Sequence, residues 1–175
     1  MFFREISDDI KVSLTIPQYA DDIFSMISNN RDYLKVWLTW IDAVQQISDT
    51  SSFISSQLCK FHKGESLHET IFYKNKIVGV LGFNSIDSVN GIGYVGYWLD
   101  EAFSGKGIMT LAVKDLIALG FDYYALQRID IRCAEGNMKS RAIPERLGFS
   151  NEGIIRNAEL VNGNYYNHIV YGLLK

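Results

Sequence analysis

Cysteine, proline and positive charge are scarce in this chain of 175 residues. Cys59 and Cys133 both lie in apolar stretches, which predicts buried packing without a disulfide and suits a reducing compartment. The 17 Lys and Arg residues are outnumbered by 20 Asp and Glu residues, so we expect no nucleic-acid partner. Residues 1–9 contain no long apolar run, and no segment reaches the roughly 18 apolar residues of a membrane span. We therefore expect no membrane association and a cytoplasmic location.

Metal binding is also not expected from the sequence. The three histidines, His62, His68 and His168, do not have the spacing of a metal-binding motif such as His-x-x-x-His. Each is better interpreted as a solvated or packed side chain.

The chain carries no repeat, linker or low-complexity tract, and only Pro17 and Pro144 interrupt it. Its 47% hydrophobic and 21% charged residues are typical of a globular protein. The sequence therefore predicts a single domain over residues 1–175.

Hydrophobic periodicity divides the chain into two halves. The first half has helices and antiparallel strands, and the second half has helices and strands in alternation. The first half is predicted to contain a strand over 10–16, helices over 20–27, 33–41 and 50–63, a hairpin of 69–73 with 77–83, and a strand over 93–99. The second half is predicted to contain a helix over 107–125, a strand over 129–134, a helix over 140–147, and a closing hairpin of 154–155 with 165–174. Because the alternating unit implies parallel neighbours and the hairpins imply antiparallel ones, the sheet should be mixed.

A glycine-rich turn, Ser104-Gly105-Lys106-Gly107-Ile108, joins a predicted strand to the longest predicted helix of the second half. Glycines there let backbone amides turn toward a bound anion, and the first turn of a helix attracts negative charge. Phosphate is the natural ligand. Taken by itself, however, the turn could equally be a simple connection between a strand and a helix. Neither the P-loop spacing nor the dinucleotide fingerprint is present.

A second segment, residues 134–149, runs from the end of a strand into a short helix. Taken together, the two segments resemble the GNAT superfamily of acyl-CoA-dependent N-acyltransferases, and in particular the branch that acetylates the amino termini of ribosomal proteins. The resemblance is carried by Tyr97-Trp98-Leu99-Asp100-Glu101, Gly105-Lys106-Gly107-Ile108-Met109-Thr110, Asn137-Met138-Lys139-Ser140-Arg141-Ala142 and Leu147-Gly148-Phe149-Ser150-Asn151-Glu152-Gly153. It extends over nearly the whole chain.

The resemblance implies an α/β fold in which helices flank both faces of a mixed, mostly antiparallel sheet of seven strands with a central splayed parallel pair. It implies acetyl-CoA as the cosubstrate, with the glycine loop around the pyrophosphate and the pantetheine in the gap between the splayed strands. The residues implied in cofactor binding are Trp98, Leu99, Ser104, Gly105, Lys106, Gly107, Ile108, Met109, Thr110, Asn137 and Ser140. Ser104 departs from the family pattern, which usually has Gln or Arg there, so backbone amides should carry most of the binding.

Two catalytic residues are implied by the same resemblance. In that branch a serine of the Asn-x-x-Ser segment and a glutamate just before the last hairpin turn are proposed as acid and base, and they match Ser140 and Glu159. The alternative for Glu159 is a solvated surface carboxylate, and Tyr165 and Tyr166 are alternative acids. The resemblance also allows a homodimer, which no feature of the sequence itself indicates.

The acceptor is expected to be a primary amine. An α-amino group has a reference pKa of about 7.7 to 8.0 and a lysine of about 10.4, so the free base is far more abundant in the former at neutral pH. This favours the amino terminus of a ribosomal protein, or a small amine such as a polyamine or an amine-bearing antibiotic. A non-catalytic acyl-CoA sensor is the alternative outside enzymes.

Overall fold

The computed structural model describes residues 3–175, and Met1 and Phe2 of the predicted domain lie outside them. The described residues form one sheet of eight strands in the order β1-β2-β3-β4-β5-β6-β8-β7. The strands are β1 Phe3–Glu5, β2 Ile10–Leu14, β3 Leu67–Tyr73, β4 Lys76–Asp87, β5 Ile92–Leu99, β6 Arg128–Ala134, β7 Ser150–Val161 and β8 Asn164–Leu174. The predicted number of seven was wrong by one, because β1 is three residues long and shows no periodicity of its own.

Five α-helices flank the sheet: α1 Ala20–Asn29, α2 Arg31–Leu34, α3 Ile47–His62, α4 Ile108–Asp122 and α5 Met138–Arg146. Buried residues of α4 and α5 pack with one face of the sheet, around Leu116 and Ile143. Buried residues of α1 and α3 form a second cluster with Val80 of β4, around Ile23 and Ile54. The predicted arrangement, with helices on both faces, is therefore confirmed. Within residues 3–175, no helix is long and apolar enough to cross a membrane.

The sheet contains one parallel pair, β5 with β6, and its pairing is short. Ile92 to Val95 of β5 pair with Arg128 to Ile131 of β6, and every other neighbouring pair of strands is antiparallel. Beyond Val95 the strands continue without pairing to each other, which leaves one backbone edge of residues 96–99 open. The predicted splayed parallel pair is thus present at the centre of the sheet.

The predicted helix over residues 33–41 was wrong. A helix of four residues, Arg31–Leu34, is followed by turns. The Arg31 guanidinium donates hydrogen bonds to the carbonyls of Ile41 and Val44, at 2.6 and 2.7 Å, and so pulls this segment back on itself. Trp37 and Trp40 pack against different strands, so tertiary contacts override the local helical spacing here.

The two cysteines differ in environment. Cys133 of β6 is buried as predicted, whereas Cys59 of α3 is exposed, so the prediction for Cys59 was wrong. The apolar residues around Cys59 do not share its side of the helix, because Ile54 and Leu58 face the core.

A buried carboxylate ties the edge strand β1 to the sheet and to α4. Glu69 of β3 is only 3% exposed, and its two oxygens accept hydrogen bonds from Arg4 of β1 at 2.5 and 2.9 Å. Arg4 also donates to Asp115 of α4 at 2.6 Å. Burial raises the pKa of Glu69, while Arg4 opposes that shift.

Candidate active site

The gap between β5 and β6 belongs to a cavity of about 1040 Å³ that residues of both sheet faces line. From the face of α4 and α5, the lining includes Tyr97, Cys133 and Ser140. From the face of α1 and α3, it includes Trp98 and Glu159. The cavity therefore connects the two faces at the point where the parallel pairing ends.

The glycine loop leads into α4 on one side of this gap. Gly105 and Gly107 have φ angles of 78° and 75°, in the left-handed region that favours glycine. The first hydrogen bond of α4 runs from the Leu111 amide to the Gly107 carbonyl at 3.1 Å. The preceding amides, those of residues 108–110, have no carbonyl one turn earlier in the helix and are therefore available to an anion.

The side chains of the loop contribute unequally to that anion site. Ile108 and Met109 are buried in the core, 1% and 6% exposed, so these two residues offer only backbone amides. Ser104 contacts Tyr33 instead, with 3.1 Å between their hydroxyl oxygens. The Lys106 ammonium lies 4.9 Å from the centre of the Phe103 ring.

An arginine that was not predicted from the sequence adds a positive charge at the start of α4. Arg146, the last residue of α5, donates a hydrogen bond to the Thr110 hydroxyl at 2.7 Å. Since Thr110 belongs to the first turn of α4, the guanidinium lies beside the free amides. A cation and a helix amino terminus together favour a phosphate group.

Four polar side chains lie together where α5 begins. Asn137 caps α5 by accepting a hydrogen bond from the Ser140 amide at 3.2 Å. The Ser140 hydroxyl lies 3.2 Å from the Cys133 sulfur and 3.4 Å from the Tyr97 hydroxyl, which itself donates to the Ser140 carbonyl at 2.9 Å. Burial raises the pKa of both Tyr97 and Cys133, so both remain protonated and neutral at pH 7.

Glu159 is paired with a histidine rather than simply solvated. Its Oε2 lies 2.9 Å from Nε2 of His168, and both residues line the cavity. A bulge between Ile155 and Glu159 in the pairing of β7 with β8 sets this contact, which no spacing in the sequence indicated.

Aromatic side chains form the rest of the wall on the face of α1 and α3. Trp98 of β5 packs edge to face on Trp40, with ring centres 5.8 Å apart, and Trp37 packs likewise on Tyr166 at 5.6 Å. Trp37, Trp40 and Trp98 line the cavity. The three tryptophans therefore pack against other side chains and also form part of the cavity wall.

The predicted site residues fall into two groups. Trp98, Asn137, Ser140 and Glu159 line the central cavity. Leu99, at the end of β5, and residues 104–110, in the loop and first turn of α4, lie outside its lining. Sequence reasoning missed Tyr97, His168 and Arg146 as parts of the site, and it read Cys133 only as core. Within residues 3–175, no group of three or more His, Cys, Asp or Glu residues could hold a metal ion.

An open strand edge beside an anion-binding helix start is the arrangement that the resemblance predicted, and comparison with known proteins gives the same family. The sequence model of the family described as acetyltransferase (GNAT) domain matches residues 13–150. The chain is a GNAT acetyltransferase. The predicted family, fold and enzyme class are thereby confirmed.

Relatives of this GNAT protein include enzymes of different named roles. It is 32% identical to the putative ribosomal N-acetyltransferase YdaF of Bacillus subtilis (strain 168), over 100% of this chain and 96% of that one. It superposes with a TM-score of 0.96, at 27% identity and covering 98% and 97% of the two chains, on RimL, a ribosomal L7/L12 α-N-protein acetyltransferase with CoA bound through a disulfide to a cysteine. It also superposes on MccE, the microcin C7 self-immunity acetyltransferase in complex with acetyl-CoA and AMP, with a TM-score of 0.92 at 33% identity, covering 97% and 94%.

Proposed function

We propose that the protein transfers the acetyl group of acetyl-CoA to the α-amino group of a protein amino terminus, most specifically that of a ribosomal protein. The observation that carries this proposal is the cavity that joins the open edge of β5 to Glu159 across the sheet. The thioester would enter this cavity from one face of the sheet and the amine from the other, and the two would react at the gap between β5 and β6.

The glycine loop and the open strand edge supply the cofactor site. The amides of residues 108–110, with Arg146 and Lys106, would hold the pyrophosphate, and the unpaired backbone at Trp98 and Leu99 would pair with the pantetheine. The sulfur would then lie near Cys133 and Ser140. The CoA-linked cysteine of RimL supports this placement, because Cys133 is the one cysteine that lines the cavity within residues 3–175.

The reaction is a direct attack. Glu159 takes a proton from the ammonium form of the acceptor and releases it to solvent, and the neutral amine nitrogen then bonds to the thioester carbon. As the carbon–sulfur bond breaks, the nitrogen loses a second proton to solvent. The Ser140 hydroxyl donates a proton to the departing thiolate and regains one from solvent. The Tyr97 hydroxyl, 3.4 Å from the Ser140 hydroxyl, is a second donor. His168 holds Glu159 in place and is therefore a positioning residue.

Mass spectrometry of intact ribosomal proteins, with and without the enzyme and acetyl-CoA, tests the proposal. We expect an acetyl mass shift on one of them, located at its amino terminus by fragmentation. Acetylation confined to lysine side chains, or to no ribosomal protein, would contradict it.

A second candidate is acetylation of a small amine linked to a nucleotide. The similarity to MccE with AMP supports it, and the half-buried Trp37 and the exposed Trp40 form an aromatic wall of the cavity against which a base could stack. Aminoacyl adenylate analogues, assayed beside peptides, separate the two candidates by their kcat/KM values.

Replacing Gly107 by Ala is expected to raise the KM for acetyl-CoA about three- to tenfold, because a side chain at a positive φ costs about 1 to 2 kcal/mol and turns the neighbouring amides away. Gly163→Ala is the matched control, since Gly163 has a φ of 79° and equally open surroundings in the β7–β8 turn. Both variants should lose similar stability in thermal melts. An equal KM in both would contradict the role of the loop.

Replacing Ser140 by Ala is expected to lower kcat about tenfold to a hundredfold, at the low end of general acid catalysis, because Tyr97 can still protonate the thiolate. Adding Tyr97→Phe should deepen the loss. Ser52→Ala, on the exposed surface of α3, serves as the control. Steady-state kinetics with saturating acetyl-CoA measures all three, and an unchanged kcat in the double variant would remove both residues from the mechanism.

A further inference from the structure

A single arginine lies in the wall of the central cavity. Among the cavity-lining residues of the described range 3–175, only Arg132 is a lysine or an arginine. The carboxylates of the lining each have a partner within the protein: Asp49 accepts the amides of Gln45 and Gln46 at 2.9 and 3.0 Å, Asp130 accepts from Arg128 at 2.5 Å, and Glu159 lies 2.9 Å from His168. The cavity therefore presents paired carboxylates and one cation to a substrate.

The guanidinium of Arg132 is held in place but keeps its hydrogen-bond donors open. It lies over the ring of Tyr94, 5.6 Å from the ring centre, and its side chain is 45% exposed. Its one ion pair within residues 3–175 is with the buried Asp130, at an N···O distance of 3.9 Å, which is longer than a hydrogen bond. An arginine has five N–H donors in a planar fork that matches a carboxylate, so this side chain can bind an anion.

Arg132 is placed at the point where the parallel strands separate. Val95 and Ile131 form the last parallel pair, so Arg132 is the first residue of β6 beyond it. Successive side chains of a strand point to opposite faces, and Cys133 lies on the face of α4 and α5. Arg132 therefore lies at the closed end of the gap on the face of α1 and α3, where the acceptor enters in the proposed function.

The distance from Arg132 to the base follows from the register of β6 with β8. Arg132 pairs with Val170 and Ala134 pairs with His168, so Arg132 and His168 are diagonal neighbours on one face. Such neighbours lie about 7 to 8 Å apart. Because His168 contacts Glu159, which takes a proton from the acceptor, an anion on Arg132 would lie roughly 7 Å from the reacting amine.

This interval matches the second residue of a peptide. Consecutive Cα atoms are about 3.8 Å apart, so in an extended chain the carboxylate of an aspartate at the second residue lies about 7 Å from the terminal amine. A group on the first residue stays within about 4 Å of the amine and does not span the interval.

We propose that Arg132 selects acceptor termini whose second residue is acidic, by binding the side-chain carboxylate while the terminal amine lies beside Glu159. The inference rests on the proposed function and names the class of terminus that the enzyme takes. A neutral second residue leaves the guanidinium without a partner, and a basic one meets a like charge.

The test compares pentapeptides with an amidated carboxyl end and alanine as the first residue, which carry aspartate, asparagine or lysine as the second residue. Aspartate and asparagine have the same shape, so their ratio isolates the charge. For the wild type we expect kcat/KM to be about tenfold higher with aspartate than with asparagine and lowest with lysine, mostly through KM. Moving the aspartate to the fifth residue should abolish its advantage, although the net charge of the peptide is unchanged.

Substitutions of Arg132 assign the preference to this side chain. Arg132→Gln should reduce the advantage of aspartate to about twofold or less, and Arg132→Lys should keep about threefold, because an ammonium retains the charge without the planar fork. Since Arg132 is partly exposed and makes no close ion pair within the described residues, neither variant should change acetyl-CoA binding or the melting temperature appreciably.

Arg156→Gln is the matched control, because it makes the same change of charge at an exposed arginine of β7 outside the cavity lining. It should keep the full preference. Equal kcat/KM for aspartate and asparagine in the wild type, a preference that survives in Arg132→Gln, or an equal loss in Arg156→Gln would overturn this inference alone. If acetyl-CoA binds and no peptide is acetylated, the proposed function is overturned with it.

Discussion

Replacing Glu159 by Gln is expected to lower kcat about 10²- to 10⁴-fold at pH 7, the range for loss of a general base. The substitution preserves the size of the side chain and a contact with His168, and it removes the group that takes the proton from the amine. An α-amino group with a pKa of about 7.7 to 8.0 becomes largely free base above that pH. The deficit should therefore shrink as the pH rises through 8.

Glu152→Gln is the matched control for this prediction. Glu152 is another glutamate of β7, paired with Arg128 on the surface and absent from the cavity lining. Pre-steady-state rates of acetyl transfer, measured from pH 6 to 9, separate chemistry from product release. A deficit that stays constant across this range, or a Glu159→Gln variant as active as Glu152→Gln, would exclude Glu159 as the base.

The role of His168 has a separate signature. Because His168 acts on the amine only through Glu159, His168→Gln should reduce kcat less than Glu159→Gln does. The double variant should be no worse than Glu159→Gln alone, since residues that act as one unit are not additive.

The loop at the start of α4 could be predicted from the sequence because its information is local. Positive φ angles require glycine at Gly105 and Gly107, and a helix start that follows a strand has a recognisable pattern. The same holds for Asn137, which caps α5 through its own neighbour. That the two segments belong to one cofactor site came from the family resemblance, because no local sequence pattern shows that they lie close together.

The contacts that complete the site could not be predicted because they depend on segments distant in the sequence or on the register of two strands. Tyr97 reaches Ser140 from a strand 43 positions away, and Arg146 reaches Thr110 across 36 positions. The pairing of His168 with Glu159 depends on a bulge, and a register shift of one residue would turn either side chain to the opposite face. The alternation that predicted β8 does not encode this register.

The fold shows the same division between local and distant information. Long periodic elements such as α4 and β5 were predicted within a few residues, whereas the helix over 33–41 was not. There the spacing of Trp37 and Trp40 is helical, but each ring has a partner on a different strand. The strand β1 was missed because its stability comes from Arg4 and its distant carboxylates.

Replacing Arg4 by Ala is expected to lower the free energy of unfolding by about 2 to 4 kcal/mol at pH 7. Removing one partner of a buried ion pair typically costs about 3 to 5 kcal/mol, and the side chain of Arg4 is partly exposed, which weakens the pair. Glu69 remains buried with no cation to oppose the rise in its pKa. Urea unfolding, followed by tryptophan fluorescence, measures the loss.

The sign of the pH dependence distinguishes an unpaired carboxylate from a simple loss of packing. With its folded-state pKa raised above the unfolded value of about 4.3, Glu69 binds a proton more readily in the folded protein. The deficit of Arg4→Ala should therefore shrink as the pH falls from the raised value toward 4.3. Adding Glu69→Gln should recover part of the stability at pH 7, while Glu5→Gln, at the exposed neighbour of Arg4, should change nothing. A pH-independent deficit with no recovery would show that Arg4 acts through its aliphatic stem rather than through its charge.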